Sequence, residues 1–386
     1  MRRHILQLSV TRRCNLHCRH CYQTDADPPP DPPIETIERV FEQFKRLARS
    51  YGERGRHVLN LSGGEPTLRG DLEEIIRLAG RRGFAVRLST NATALDGNRA
   101  RSLRRAGLSA AQVSLDGAAR ETHEAIRGPG TWDRVNRGIR ALVAAGIPVV
   151  LSQVLLPGVN LEEAPHLLDL VVAHRAVGAK FARPVREGAM IRSGWPVEGD
   201  YWQVFRDILA HARRTRYRRF LFISDPLAHR LRSAGRDLAR GLPGLVTGHC
   251  DCRHTRVVEI DASTGDVYYC RLRQCLGNLK SEDLVEMWRC HPLLAELRFR
   301  KVPEGCAGCV AWAQCQGGCP AVTAAEAGRP DAPDQACPGP LTASGTMAED
   351  LLHSASRRLS PGPRERLAAS CRLVRQALLW RLLRLF

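Results

Sequence analysis

No export signal precedes the first strand-like segment: Met1-Arg2-Arg3-His4 runs directly into Ile5-Leu6-Gln7-Leu8-Ser9-Val10. A disulfide framework is therefore not expected, and the 14 cysteines point to metal binding or redox use. Aromatic residues are scarce, at 5%, and no basic patch interleaved with them stands out. The densest basic stretch, Arg213-Arg214-Thr215-Arg216-Tyr217-Arg218-Arg219, holds a single tyrosine and reads as a solvated helix end. The net charge of +18 is then the arginine bias of a chain also rich in Ala, Gly and Pro, and no nucleic-acid partner is expected. The apolar run from Leu378 to Phe386 carries Arg381 and Arg384 and is too short to span a bilayer. It suits contact with a membrane surface, a partner, or the body of the protein itself.

At 386 residues the chain has room for two domains and a large core. Its cysteines are unevenly spread. Cys14, Cys18 and Cys21 lie near the start, ten more fall between 250 and 337, and Cys371 stands alone. The first three are spaced by four and three residues, just after the opening apolar run. Three thiolates can hold three corners of a [4Fe–4S] cube and leave the fourth iron open for a ligand. Zinc and redox thiols are the rival uses, although a closed zinc site wants four ligands.

From residue 4 to about 190, short apolar runs alternate with amphipathic stretches. Strands are predicted at Ile5–Val10, Val58–Leu61, Phe84–Leu88, Gln112–Leu115, Val149–Val154 and Lys180–Val185. Helices are predicted at Ile34–Tyr51, Asp71–Ala79, Asn98–Ala106, Trp132–Ala145 and Leu161–Ala176. Six β/α units predict an α/β fold, a partial (β/α)6 TIM-type barrel with its chemistry at the C-terminal ends of the strands. Candidate residues fall there one after another. Ser62-Gly63-Gly64-Glu65-Pro66 follows the second strand, its glycines allowing close backbone approach and its glutamate adding a charged acceptor. Ser89, Thr90 and Asn91 follow the third strand; Ser114, Asp116, Gly117, His123 and Arg127 follow the fourth. Hydroxyls, amides and a carboxylate at strand ends suit a ribose and an amino acid, and Arg127 suits a ligand carboxylate.

On these residues the chain resembles radical S-adenosylmethionine (SAM) enzymes over roughly residues 4–190. The resemblance implies that Cys14, Cys18 and Cys21 bind a catalytic [4Fe–4S] cluster, with His20 near the adenine. It implies that Gly63, Gly64 and Glu65 receive the methionine amino group of SAM. Ser89, Asn91, Ser114 and Asp116 would line the ribose and carboxylate, with Arg127 touching the carboxylate.

Residues 190–249 show no such motif, and Tyr201–Arg213 reads as a helix. Beyond them Val257–Ile260 and Val267–Cys270 flank Ser263-Thr264-Gly265, a hairpin signal. Cys306, Cys309, Cys315, Cys319 and Cys337 follow at knot-like spacing. Downstream of such a barrel, residues 250–340 resemble a SPASM domain, which implies two auxiliary [4Fe–4S] clusters. Carried over, Cys306, Cys309, Cys315 and Cys337 would hold the distal cluster. Cys252, Cys270 and Cys319 would hold the nearer one, completed by Cys250, with Cys275 as competitor. Cys290 and Cys371 fit no ligand position and are expected to be buried thiols. The organisation expected is a barrel at 1–190, a bridging helical region at 191–249, the SPASM domain at 250–340 and a helical tail at 341–386.

The resemblance implies an oxidoreductase that cleaves SAM reductively and cross-links or dehydrogenates a ribosomally made peptide or protein. It implies a low-potential donor such as ferredoxin or flavodoxin, and a cytoplasmic location. With the first strand at the start, a separate peptide-recognition protein is a further expected partner. Two alternatives stand: a tetrapyrrole-modifying enzyme of the same superfamily acting on a haem precursor, and a non-enzymatic iron–sulfur or zinc-binding scaffold. No residue is singled out as the catalytic base.

Overall fold

A computed structural model describes residues 3–23, 27–233, 242, 244–247, 254–270 and 272–341. His249, Cys250, Cys252, Cys371 and the tail helix expected after 341 lie outside the described residues.

Six parallel strands form where the apolar runs predict them. They are β1 (Ile5–Ser9), β2 (His57–Ser62), β3 (Phe84–Thr90), β4 (Ala110–Ser114), β5 (Val149–Val154) and β6 (Gly178–Ala182). Between them lie α1 (Ile34–Ser50), α2 (Leu72–Arg81), α3 (Gly97–Ala106), α4 (Arg120–Arg127), α5 (Thr131–Ala144) and α6 (Leu167–Ala173). Leu6, Leu8, Leu59, Leu61, Val86 and Leu88 are buried. The alternate residues Gln7, Asn60 and Arg87 are register partners across β1, β2 and β3 and share the opposite face. In α1 the buried residues are Ile37, Val40, Phe41, Phe44, Leu47 and Ala48, a stripe of helical period. Phe41 and Phe44 meet Phe84 at ring distances of 5.1 and 5.8 Å.

Two details differ from the sequence expectation. The helix expected from Leu161 starts only at Leu167, after a short 3-10 turn at Ala164–His166. Pro165 lies in that turn and cannot donate a backbone hydrogen bond. The sheet also continues past β6. β7 (Phe220–Ile223) and β8 (Leu245–Thr247) add parallel strands in the stretch read as a helical bridge. Both are too short for periodicity to reveal them. The helix Tyr201–Arg214 forms as expected.

The other edge carries the cysteine-rich half. β9 (Val257–Asp261) pairs parallel with β1, Ile5 opposite Val257 and Ser9 opposite Asp261. β10 (Asp266–Tyr269) returns antiparallel as the expected hairpin, and β11 (Leu272–Asn278) follows antiparallel. The order is β11-β10-β9-β1-β2-β3-β4-β5-β6-β7-β8. The result is an open, partial α/β barrel with an antiparallel hairpin region at one edge. Among the described residues, no helix is long and apolar enough to cross a membrane.

A buried arginine ties the barrel to the cysteine-rich loops. Arg183, just past β6, pairs with Asp225 after β7 and with Asp334 between Cys319 and Cys337. All three are almost fully buried. Replacing Arg183 by Met is expected to leave two buried carboxylates without their cation and to cost about 3–5 kcal/mol. Urea unfolding of the two proteins checks this; equal midpoints would refute it.

Candidate active site

The three N-terminal cysteines lie on the loop after β1, and neighbouring strand ends hold that loop. Thr11 O accepts from Gly64 N and Arg13 O accepts from Glu65 N, both at 2.8 Å. The approach is too close for side chains. A Cβ on Gly63 would lie 2.1 Å from Thr11 O, and one on Gly64 would lie 2.2 Å from Arg13 O. Gly63 also has φ +134. The glycine pair thus packs against the cysteine loop's own backbone. After β3, Asn91 Nδ2 donates to Asn15 Oδ1 at 2.9 Å, and Asn15 Nδ2 donates to Thr93 Oγ1 at 3.0 Å. From α4, Ile126 O accepts from Arg19 N at 3.0 Å. After β6, Ala189 N donates to Cys21 O at 2.7 Å.

Cys14 is exposed, and Cys18 and Cys21 are half-buried. Although the residue is exposed at its surface, partial desolvation of the sulfur pushes the Cys14 thiol up to about 11, and the neighbouring Cys18 and Cys21 push in the same direction. Thiols that resist ionisation at Cys14 and Cys18 fit a metal centre, which supplies the positive charge to displace their protons. A tetrahedral zinc gathers its thiolates about 3.8 Å apart. Among the described residues no three cysteine sulfurs lie within 4.8 Å of one another.

The group that does meet that spacing is His166, Asp169 and His211. It is a hydrogen-bonded tie. Arg214, which can only donate, lies 2.8 Å from His211 Nδ1, so His211 Nε2 carries the proton given to Asp169 Oδ1 at 2.9 Å.

Glu65 is buried, and its carboxylate is heavily used. Oε1 accepts from Thr67 N, Thr67 Oγ1 and Thr90 Oγ1, and Oε2 accepts from Asn91 N at 2.7 Å. Burial raises its pKa despite these donors. Asp116, also buried, accepts from Arg127 Nε at 2.6 Å and Val154 N at 2.8 Å, with His20 Nε2 at 3.4 Å. Burial opposes its ionisation, but Arg127 and His20 outweigh that and hold its pKa low. Burial likewise lowers His20, to about 4, with Asp116 opposing. Arg127 Nη1 reaches Cys18 Sγ at 3.7 Å. Asp116, Arg127 and His20 are therefore brought together with one another and with the cysteine loop. Ser89 donates to Asn60 Oδ1 at 3.1 Å, and Ser114 faces Ser152 across the β4–β5 register. Sequence reading missed Asn15, Thr67, Thr93 and Asn60. Only Asn15 carried a signal, its place inside the cysteine loop.

In the C-terminal half, Cys306, Cys315 and Cys319 are buried, and Cys309 and Cys337 half-buried. Burial raises Cys306, with Cys337 and Cys309 adding to it, and raises Cys315 to about 12. Cys270 ends the hairpin at φ +52. Cys275 is exposed and donates to Gly277 O at 3.3 Å. Cys290 is exposed, not buried as expected. It ends the helix Leu284–Cys290, whose buried face is used by Leu284, Met287 and Trp288.

Two substitutions test the site. Gly64→Ala is expected to displace the loop and cut iron bound at Cys14, Cys18 and Cys21 severalfold, with the far-ultraviolet circular dichroism unchanged. Undiminished iron would show that the close approach is dispensable. Glu65→Gln sets an amide donor against a backbone or hydroxyl donor, and is expected to lower unfolding free energy by about 1–3 kcal/mol in urea titration.

Comparison with known proteins agrees with this geometry. The radical SAM superfamily pattern matches residues 8–171. Mycofactocin maturase MftC of Mycolicibacterium smegmatis is 26% identical over 340 residues, covering 86% of this chain and 82% of the relative. Fe-coproporphyrin III synthase of Methanosarcina barkeri is 37% identical over 180 residues, covering 44% of this chain and 43% of the relative. The crystal structure of Streptococcus suis SuiB bound to precursor peptide SuiA superposes with TM-score 0.65 at 17% identity, covering 86% of this chain and 75% of SuiB. With their cysteine loop at the mouth of a partial barrel, residues 8–171 form a domain of the radical SAM superfamily pattern.

Proposed function

We propose that this chain is a peptide maturase, oxidatively modifying a ribosomally made peptide by cross-linking or dehydrogenation. The observation that carries the reading is the loop of Cys14, Cys18 and Cys21, held by backbone contacts at the C-terminal ends of parallel strands. When bound there, a reduced [4Fe–4S] cluster supplies the electron that cleaves SAM to a 5′-deoxyadenosyl radical able to take hydrogen from a C–H bond.

The chain's own residues would divide the remaining work. Gly63 and Gly64 keep the loop in register. Glu65 Oε2 accepts one hydrogen bond and keeps an acceptor position for an ammonium group. Ser89, Asn91 and Ser114 supply polar groups at adjacent strand ends for a ribose. The SAM contacts expected of Asp116 and Arg127 require their ion pair to open; closed, it holds His20 and Cys18 in place. Cys306, Cys309, Cys315 and Cys337 would hold one auxiliary cluster. Cys252, Cys270 and Cys319 would hold the other, with Cys250 favoured over the exposed Cys275 as fourth ligand. A low-potential carrier such as ferredoxin or flavodoxin would supply electrons, which suits the cytoplasm.

The peptide substrate is favoured by how far the likenesses extend. Similarity to mycofactocin maturase runs through the cysteine-rich half. Similarity to Fe-coproporphyrin III synthase covers less than half of the chain. SuiB, of the same fold, has been solved with a precursor peptide bound.

Anaerobic reconstitution tests the cofactor reading. About twelve irons per chain are expected, falling to about eight when Cys14, Cys18 and Cys21 are all replaced by Ala, with loss of SAM cleavage. Zinc in the C-terminal half with only about four irons would refute the auxiliary clusters and leave the barrel assignment standing.

A further inference from the structure

Arg230 is a buried cation with no carboxylate beside it among the described residues. It follows the 3-10 turn Pro226–His229 beyond β7 and is only 4% exposed. Buried Arg183 has Asp225 and Asp334, and the half-buried Arg127 has Asp116. Arg230 Nη1 instead donates to Gly339 O at 2.6 Å and to Cys337 Sγ at 3.5 Å. Its Nε is buried without a hydrogen bond. The guanidinium carbon lies 5.8 Å from the Trp202 ring.

A guanidinium taken out of water needs an anion nearby, and neutral thiols do not provide one. The thiolates of a metal centre do. Cys337 is in contact with Arg230. Arg230 is thus placed to balance negative charge on the Cys337 sulfur.

We propose that Arg230 is the counter-charge of the metal–thiolate centre held by Cys306, Cys309, Cys315 and Cys337, and raises its reduction potential through Cys337. This rests on the reading that these cysteines hold an iron–sulfur cluster. Adding an electron makes the centre more negative, and a fixed cation hydrogen-bonded to a ligand sulfur favours that reduced state. Arg230 is accordingly a positioning residue and need not touch substrate.

The test uses the reconstituted full chain with Cys14, Cys18 and Cys21 replaced by Ala, so that only C-terminal centres remain. Midpoint potentials are read by electron paramagnetic resonance during redox titration, for this parent and for its Arg230→Gln and Arg230→Lys variants. In the Gln variant one centre is expected to be about tenfold less reduced at a fixed potential, a shift of about 59 mV for one electron. The second centre serves as an unshifted reference. The Lys variant keeps the charge and is expected to titrate nearer the parent. Should the Gln variant lose its iron, retention of iron by the Lys variant would support the assignment, and loss from both would overturn it. A Gln variant titrating with the parent would overturn the role of Arg230 alone. A parent that binds no iron would overturn the cluster reading itself.

Discussion

The candidate site depends on a backbone contact that tolerates no side chain. The carbonyls of Thr11 and Arg13 meet the amides of Gly64 and Glu65. A methyl group at Gly63 or Gly64 would fall well inside van der Waals contact with a carbonyl oxygen. That closeness carries the cysteine loop across the top of β1 and β2. From there Asn91 after β3, Ile126 of α4 and Ala189 beyond β6 reach it as well. A loop held at so many points can present Cys14, Cys18 and Cys21 together without regular structure of its own.

Electrostatics repeats this theme in the interior. The net charge of +18 is spread widely, but a few buried or half-buried arginines act locally. Arg127 joins Asp116 to Cys18 in the barrel mouth. Arg183 bridges Asp225 and Asp334, and so links the last barrel strands to the cysteine-rich loops. Arg230 leans on Cys337. In each case a planar, permanently charged group serves two acceptors at once.

The two halves of the chain share one sheet. β9 lies directly against β1, the strand that feeds the cysteine loop, so Asp261 is opposite Ser9. Glu259, opposite Gln7, is buried beside Arg273 at 2.8 Å, and burial lifts its pKa to about 7. Arg273 in turn stacks on Tyr22, next to Cys21, and on Tyr268 of β10. Hydrogen bonding between the edges, together with these ring contacts, fixes the hairpin relative to the N-terminal loop.

Local pattern determined much of this in advance. Alternating apolar runs and helical stripes marked β1–β6, α1–α3 and α5, because period and punctuation are properties of neighbouring residues. Ser263-Thr264-Gly265 marked the hairpin for the same reason, and cysteine spacing marked the N-terminal loop. Only the tertiary structure decided the rest. β7 and β8 are short apolar runs that gain strand partners only once β6 is in place. The pairing of β9 with β1 joins residues some 250 positions apart in the sequence. Sequence also drew Glu65, Asp116 and Arg127 as groups open to a ligand, whereas folding engages each with a protein partner first. Which charges meet in the interior is settled by backbone geometry, and neither residue type nor spacing encodes it.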